Sequence, residues 1–94
     1  MLLSHFQQLI YDRYYPTDSA RGAPATFLWF AEEVGELARA IAERERGEDN
    51  HDNLVEEFAD VLAWLTTLAN ITEVDLTEAV RRKYIANGGP KGTK

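Results

Sequence analysis

Apolar side chains recur along this chain at helical spacing, with no sustained two-residue alternation of the kind a strand requires. Phe6, Leu9, Ile10 and Tyr14 mark a first helix, with Ser4 and Gln7 spaced as a capping box at its start. Pro16 is expected to end it, leaving Thr17 to Gly22 as a loop. Pro24 suits the first turn of a second helix, which runs to about Arg46 and carries Phe27, Phe30, Val34, Leu37 and Ile41 as one stripe. After a polar connection from Gly47 to Asp52, Asn53 and Glu56 form a second capping box. The third helix that follows reaches Asn70 or Ile71, with Leu54, Phe58, Val61, Leu62, Leu65 and Leu68 on its apolar side. Asp75 and Glu78 cap a fourth helix, which stops at Asn87-Gly88-Gly89-Pro90. The fold class is therefore all-α. About four helices form a bundle around a central antiparallel hairpin of the second and third.

Length makes this one domain, 1–94, with residues 88–94 as a flexible tail. A core this small invites completion by oligomerisation, because no cysteine is present to form a disulfide. The lack of cysteine also removes thiolate metal sites and thiol nucleophiles, and it fits a reducing, cytoplasmic setting. No apolar run is long enough to span a bilayer, and Met1 to Ile10 lacks the basic start of a signal peptide, so no membrane partner is expected. A net charge of −6 argues against nucleic-acid binding, which rests on neutralising phosphates. The late basic residues, Arg81, Arg82 and Lys83 among them, are either a solvated helix end or a local phosphate contact.

Six acids interrupt the helical pattern in two clusters: Glu32, Glu33 and Glu36, then Glu56, Glu57 and Asp60. Glu33 with Glu36, and Glu57 with Asp60, share the i, i+3 relation that places two carboxylates on one helix face. On the helical wheel the first pair lies at one margin of the apolar stripe, and Glu57 falls between Trp64 and Leu68. Only Glu36 has a cationic neighbour at helical spacing, Arg39, whereas Glu32 faces Glu36 and Glu56 faces Asp60 at the repulsive i, i+4 distance. Glu43, between Arg39 and Arg46, shows what an ordinary solvated face looks like. A divalent cation would relieve the uncompensated charge, and oxygen-only ligands favour Mg²⁺, Mn²⁺ or Ca²⁺ over softer metals. Glu56 has a second reading as a capping residue, and Glu32 as plain surface. Trp29, Phe30, Trp64 and Tyr14 are either packing residues or a stacking platform for a nucleobase.

Two linked motifs, Glu32-Glu33-x-x-Glu36 and Glu57-x-x-Asp60, with their flanking residues, resemble the all-α nucleoside triphosphate pyrophosphohydrolases of the MazG type, in particular the short single-domain members. The resemblance extends to Lys83-Tyr84. It implies hydrolysis of (deoxy)nucleoside triphosphates between the α and β phosphates, giving monophosphate and pyrophosphate, with nucleotide-pool house-cleaning as the role. It further implies Glu33, Glu36, Glu57 and Asp60 as ligands of Mg²⁺, with Mn²⁺ as the alternative, and a homodimer or homotetramer. Glu32 would be a further ligand or the group that orients water, ahead of Glu56. For such a substrate Arg82 and Lys83 are candidate contacts of the outer phosphates, and Trp29 and Trp64 are candidates to stack on the base. Many short members continue into a cysteine-bearing tail; this chain continues Ile85-Ala86-Asn87-Gly88-Gly89-Pro90-Lys91 without one, so no role of such a tail carries over.

Two rival classes remain. A di-iron or di-manganese bundle expects Glu-x-x-His pairs on its helices. His5 reads as a helix-start residue and His51 as a loop residue, which does not match that pattern. A non-enzymatic acidic helical module would bind divalent cations and dimerise without turning over nucleotides.

Overall fold

A computed structural model of the protein describes residues 1–92, among which there is no strand. Four helices follow one another: α1 (Leu3–Arg21), α2 (Ala23–Glu45), α3 (His51–Ile71) and α4 (Leu76–Val80). A π-helical turn (Arg81–Ile85) and a 3-10 turn (Ala86–Gly88) extend α4. Residues 93 and 94 of the expected tail lie outside the described residues.

The central hairpin is antiparallel, because positions that fall along α2 meet positions that rise along α3. Asn50 Nδ2 donates to the Ala40 carbonyl at 2.9 Å, Glu33 and Glu36 approach Glu57, and the Trp29 ring stacks on Trp64 with centroids 6.3 Å apart. Within α2 the buried row is Thr26, Glu33, Ala40, each seven residues from the next. Thr26 and Ala40 are 0% and 1% exposed. Small side chains at those two positions let the helix backbones approach closely, and the Thr26 hydroxyl is satisfied by the Gly22 carbonyl at 2.6 Å. The adjacent row, Phe27, Val34 and Ile41, stays 55%, 41% and 43% exposed. Phe58, Leu62 and Leu65 of α3 are likewise exposed.

The small residues beside the bulky stripe are buried most deeply, while Phe30, Leu37, Leu54, Val61 and Leu68 of the stripes are half-buried and the rest of their bulky residues stay open. The consequence is measurable as surface. The chain exposes 6,890 Å², whereas a compact monomer of this size exposes about 5,500 Å². Its radius of gyration is 15.3 Å, against about 12 Å for a compact domain of this length.

Four local expectations change. Pro16 does not end α1, although a proline inside a helix removes a hydrogen bond and costs about 3 kcal/mol. The turn beyond it is held from outside the helix: Asp18 is buried, bonded to Arg21 and to Thr67 of α3. The break falls at Gly22, whose φ of 83° suits glycine, and a single residue separates α1 from α2. The box at Ser4 and Gln7 does not form, because Gln7 is spent on tertiary contacts. Its Nε2 donates to Asn70 Oδ1 and the Val74 carbonyl, and its Oε1 accepts from the Leu76 N–H, clasping the turn between α3 and α4. Nor does the box at Asn53 and Glu56: α3 already begins at His51, and Asn53 lies within its first turn. The cap at Asp75 does form, with its side chain accepting from the Glu78 N–H at 3.1 Å.

Candidate metal centre

Glu33 owes its place to the row it occupies. It stands between the two most buried positions of α2, so its side chain is directed into the helix interface rather than to solvent. Glu36, three residues on, joins it from the same helix, and Glu57 meets both from α3. One carboxylate oxygen of each lies within 4.8 Å of the others. All three side chains are half-buried. Glu33 Oε2 and Glu57 Oε2 are shielded from water and have no hydrogen-bond partner. Among the described residues none of the six clustered acids takes part in an ion pair.

Such an arrangement resists ionisation. Burial raises the Glu33 carboxyl above the ordinary glutamate value, and repulsion by Glu36, Asp60 and Glu57 raises it further. Glu57 is raised for the same reasons, burial first, then Glu36, Asp60 and Glu56. A divalent cation fits this donor set: hard oxygens from two helices, two of them orphaned, with excess negative charge. The triplet could hold such an ion without a change of helix.

The other expected site residues are placed differently. Asp60 is exposed and outside the triplet, though its charge still acts on Glu33 and Glu57. Glu32 and Glu56 are exposed, each one residue before a member of the triplet. Trp64 flanks the site, with Trp29 stacked against it and the Arg21 guanidinium 5.0 Å from its ring centre. Arg82 and Lys83 are not brought to the cluster. Arg82 Nε pairs with Glu78 Oε1 at 3.3 Å, and the Lys83 ammonium lies over the Tyr84 ring. His51, expected in a loop, is the first residue of α3 with its Nδ1 3.4 Å from Arg44 Nη1, and Glu48 ion-pairs with Arg46 at 3.6 Å.

The sequence reading missed Asp18, Arg21 and Thr67. Asp18 Oδ1 accepts from Arg21 Nη2 at 2.8 Å, and Oδ2 from the Thr67 hydroxyl at 3.0 Å. The signal was present as an i, i+3 acid–arginine pair ahead of a glycine, but it lay in a stretch read as loop.

With this geometry in place, the comparison with known families decides the matter. The profile of the MazG nucleotide pyrophosphohydrolase domain matches residues 22–86, from the residue before α2 to the first residue of the 3-10 turn. The chain belongs to that family. No curated protein matches it. In this MazG chain the matched span includes the whole carboxylate triplet, while α1 lies outside it. No helix among the described residues is long and apolar enough to cross a membrane.

The raised carboxyls fix the sign of a pH effect. A glutamate whose folded value exceeds its unfolded 4.5 holds its proton better when folded, so stability falls as pH rises from there through the raised value. Metal-free protein should therefore lose melting temperature across that window. Mg²⁺ should restore it at neutral pH and do little near pH 4.5, where protons compete. Glu57→Gln should raise the melting temperature in EDTA and abolish the Mg²⁺ response. Differential scanning fluorimetry reads all three, and equal melting with and without Mg²⁺ at every pH would refute the centre.

Proposed function

We propose that the protein is a divalent-metal-dependent hydrolase that splits (deoxy)nucleoside triphosphates between the α and β phosphates, releasing monophosphate and pyrophosphate. The observation that carries this reading is the Glu33–Glu36–Glu57 triplet with its unpartnered oxygens, inside a span that matches the family. Glu33, Glu36 and Glu57 would hold Mg²⁺, with Mn²⁺ as the alternative and Asp60 as the fourth ligand. The ion, when bound, would neutralise phosphate charge and steady the departing pyrophosphate.

What the chain itself does is narrower. The carboxylates keep a strongly negative, half-buried site that admits a polyphosphate only together with a cation. Glu32, exposed beside Glu33, would orient a water and take its proton as the water oxygen bonds to phosphorus and the bridging bond breaks. Glu56 is the second candidate for that role. Trp29 and Trp64 would wall the base side. Within one chain Arg82 and Lys83 lie with α4, so they enter this reading only from a second copy. Removal of unwanted nucleotides from the pool is the role that fits such chemistry.

The purified protein, incubated with a panel of nucleoside triphosphates and Mg²⁺, should yield monophosphate and pyrophosphate. EDTA should stop the reaction, and Glu57→Gln should lower kcat/KM at least about a hundredfold. Folded, Mg²⁺-binding protein that releases no pyrophosphate from any nucleotide would favour the non-enzymatic acidic module instead.

The same reading includes a homodimer or homotetramer. The excess of about 1,400 Å² over a compact monomer is of the order one partner buries in a stable interface. Phe27, Val34, Ile41, Phe58, Leu62 and Leu65 would offer a partner an apolar face. Sedimentation velocity should show two or four chains, and Phe58→Asp should shift the population toward monomer. Wild-type protein that sediments as one chain at micromolar concentration would contradict this.

A further inference from the structure

Along α1 the residues Ile10, Tyr14 and Asp18 follow one another at four-residue intervals and so share one face of the helix. Ile10 and Asp18 are 6% and 5% exposed, yet Tyr14 between them is 48% exposed. A cleft of about 400 Å³ opens at this point between α1 and α3, with Ile10, Tyr14, Ala63 and Trp64 as its apolar lining. That volume lies in the range of small-molecule sites. Asp60 belongs both to this cleft and to the charges that act on Glu33 and Glu57, so the cleft adjoins the carboxylate triplet. Trp64 lies seven residues beyond Glu57, about 10 Å along α3, a span that the sugar and first phosphate of a nucleotide can bridge.

Tyr14 is the free aromatic surface of this cleft. Trp64 has the Trp29 ring stacked against it and the Arg21 guanidinium 5.0 Å from its centre, so its ring is already engaged. Tyr11 and Tyr15 stack on each other with centroids 4.2 Å apart, and the Lys83 ammonium lies over Tyr84. Among the described residues Tyr14 is the one tyrosine in no such contact. The polar lining, by contrast, is of mixed character. Arg21 spends one N–H on Asp18 and one on the Thr26 hydroxyl and keeps the others, while Asp18 accepts from Thr67 and Arg21 and has acceptor positions to spare. The Thr17 hydroxyl can donate or accept. An amino group and a carbonyl oxygen would both find a partner there, so the polar lining does not choose between them.

We infer that Tyr14 is the side chain on which the base of the substrate stacks, and that the cleft selects for the presence of a planar base rather than for its amino or carbonyl groups. This rests on the nucleotide reading above, which puts the phosphates at the triplet and leaves the adjoining cleft to the base. The ring face carries the interaction, so phenylalanine serves in place of Tyr14 and an aliphatic side chain does not. The plainer alternatives are that Tyr14 is ordinary surface or that it packs against a second copy. Neither distinguishes a triphosphate that carries a base from one that does not.

Deoxyribose triphosphate, which has no base, is the probe. Wild-type kcat/KM should favour both dCTP and dUTP over it by about tenfold or more, the scale of one stacked base. Tyr14→Leu should bring both nucleotides down toward the base-free value and leave that value unchanged, with melting temperature and sedimentation as in the wild type. Tyr14→Phe should keep wild-type rates. Should Tyr14→Leu fail to fold, Tyr14→Gln, suited to a half-exposed helical position, takes its place. Equal wild-type rates with and without a base would overturn the inference. So would a Tyr14→Leu that works as well as wild type, a loss that the base-free substrate shares or that falls on one nucleotide alone, or a Tyr14→Phe as impaired as Tyr14→Leu. Hydrolysis that does not depend on Tyr14 defeats this inference and leaves the hydrolase reading standing. If no triphosphate is split, the hydrolase reading fails, and calorimetry with dCMP and dUMP decides on Tyr14. Binding weakened about tenfold in Tyr14→Leu and kept in Tyr14→Phe upholds its role, whereas no binding, or equal binding by all three proteins, overturns it.

Discussion

Three like-charged carboxylates share the interface where α2 closes on α3, and most of the structure can be understood as the means of keeping them there. Left to itself, a bundle would fill that interface with leucine and keep acids in water, because shielded unpaired charge is costly. Here Glu33 takes the middle of the buried row, flanked by Thr26 and Ala40, and Glu57 answers it from α3. Small neighbours allow the helices to meet despite the charge. Bulky residues that would normally hold a hairpin together, Phe27, Val34 and Ile41 among them, lie one position away, on the outside.

That displacement links the site to the proposed assembly. A chain that commits its inner face to chemistry has little buried apolar material of its own; Ile10, Ala40 and Ala69 are the buried hydrophobic residues among those described. Stability must then come from side-chain clasps and from whatever covers the open stripe. Gln7 supplies one clasp at the turn between α3 and α4, and Asp18 with Arg21 and Thr67 supplies the other at the far end of α1. The second clasp secures the helix beyond Pro16 and lines the cleft between α1 and α3.

Helix number, order and the spacing of the acids were legible in the sequence because each rests on local periodicity. The missing cationic neighbours of Glu33 and Glu57 were legible too, and they pointed to a cation before any geometry was known. Which of two adjacent rows is buried was not legible, since Thr26–Glu33–Ala40 carries less hydrophobicity than Phe27–Val34–Ile41 and only packing decides between them. Capping patterns misled where a residue had better work elsewhere: Gln7 spans more than sixty residues to reach Asn70. Pro16 misled for the same reason, because the contacts that override its helix-breaking tendency lie on α3. Asp75, whose cap competes with no tertiary bond, was read correctly.

The central claim is that the half-buried triplet is a divalent-cation cradle, and the most direct measurement is anomalous diffraction from crystals soaked in Mn²⁺. The account predicts an anomalous peak among the carboxylates of Glu33, Glu36 and Glu57, lost in crystals of Glu33→Gln. Absence of any peak there, with those carboxylates instead paired to lysine or arginine side chains, would contradict it.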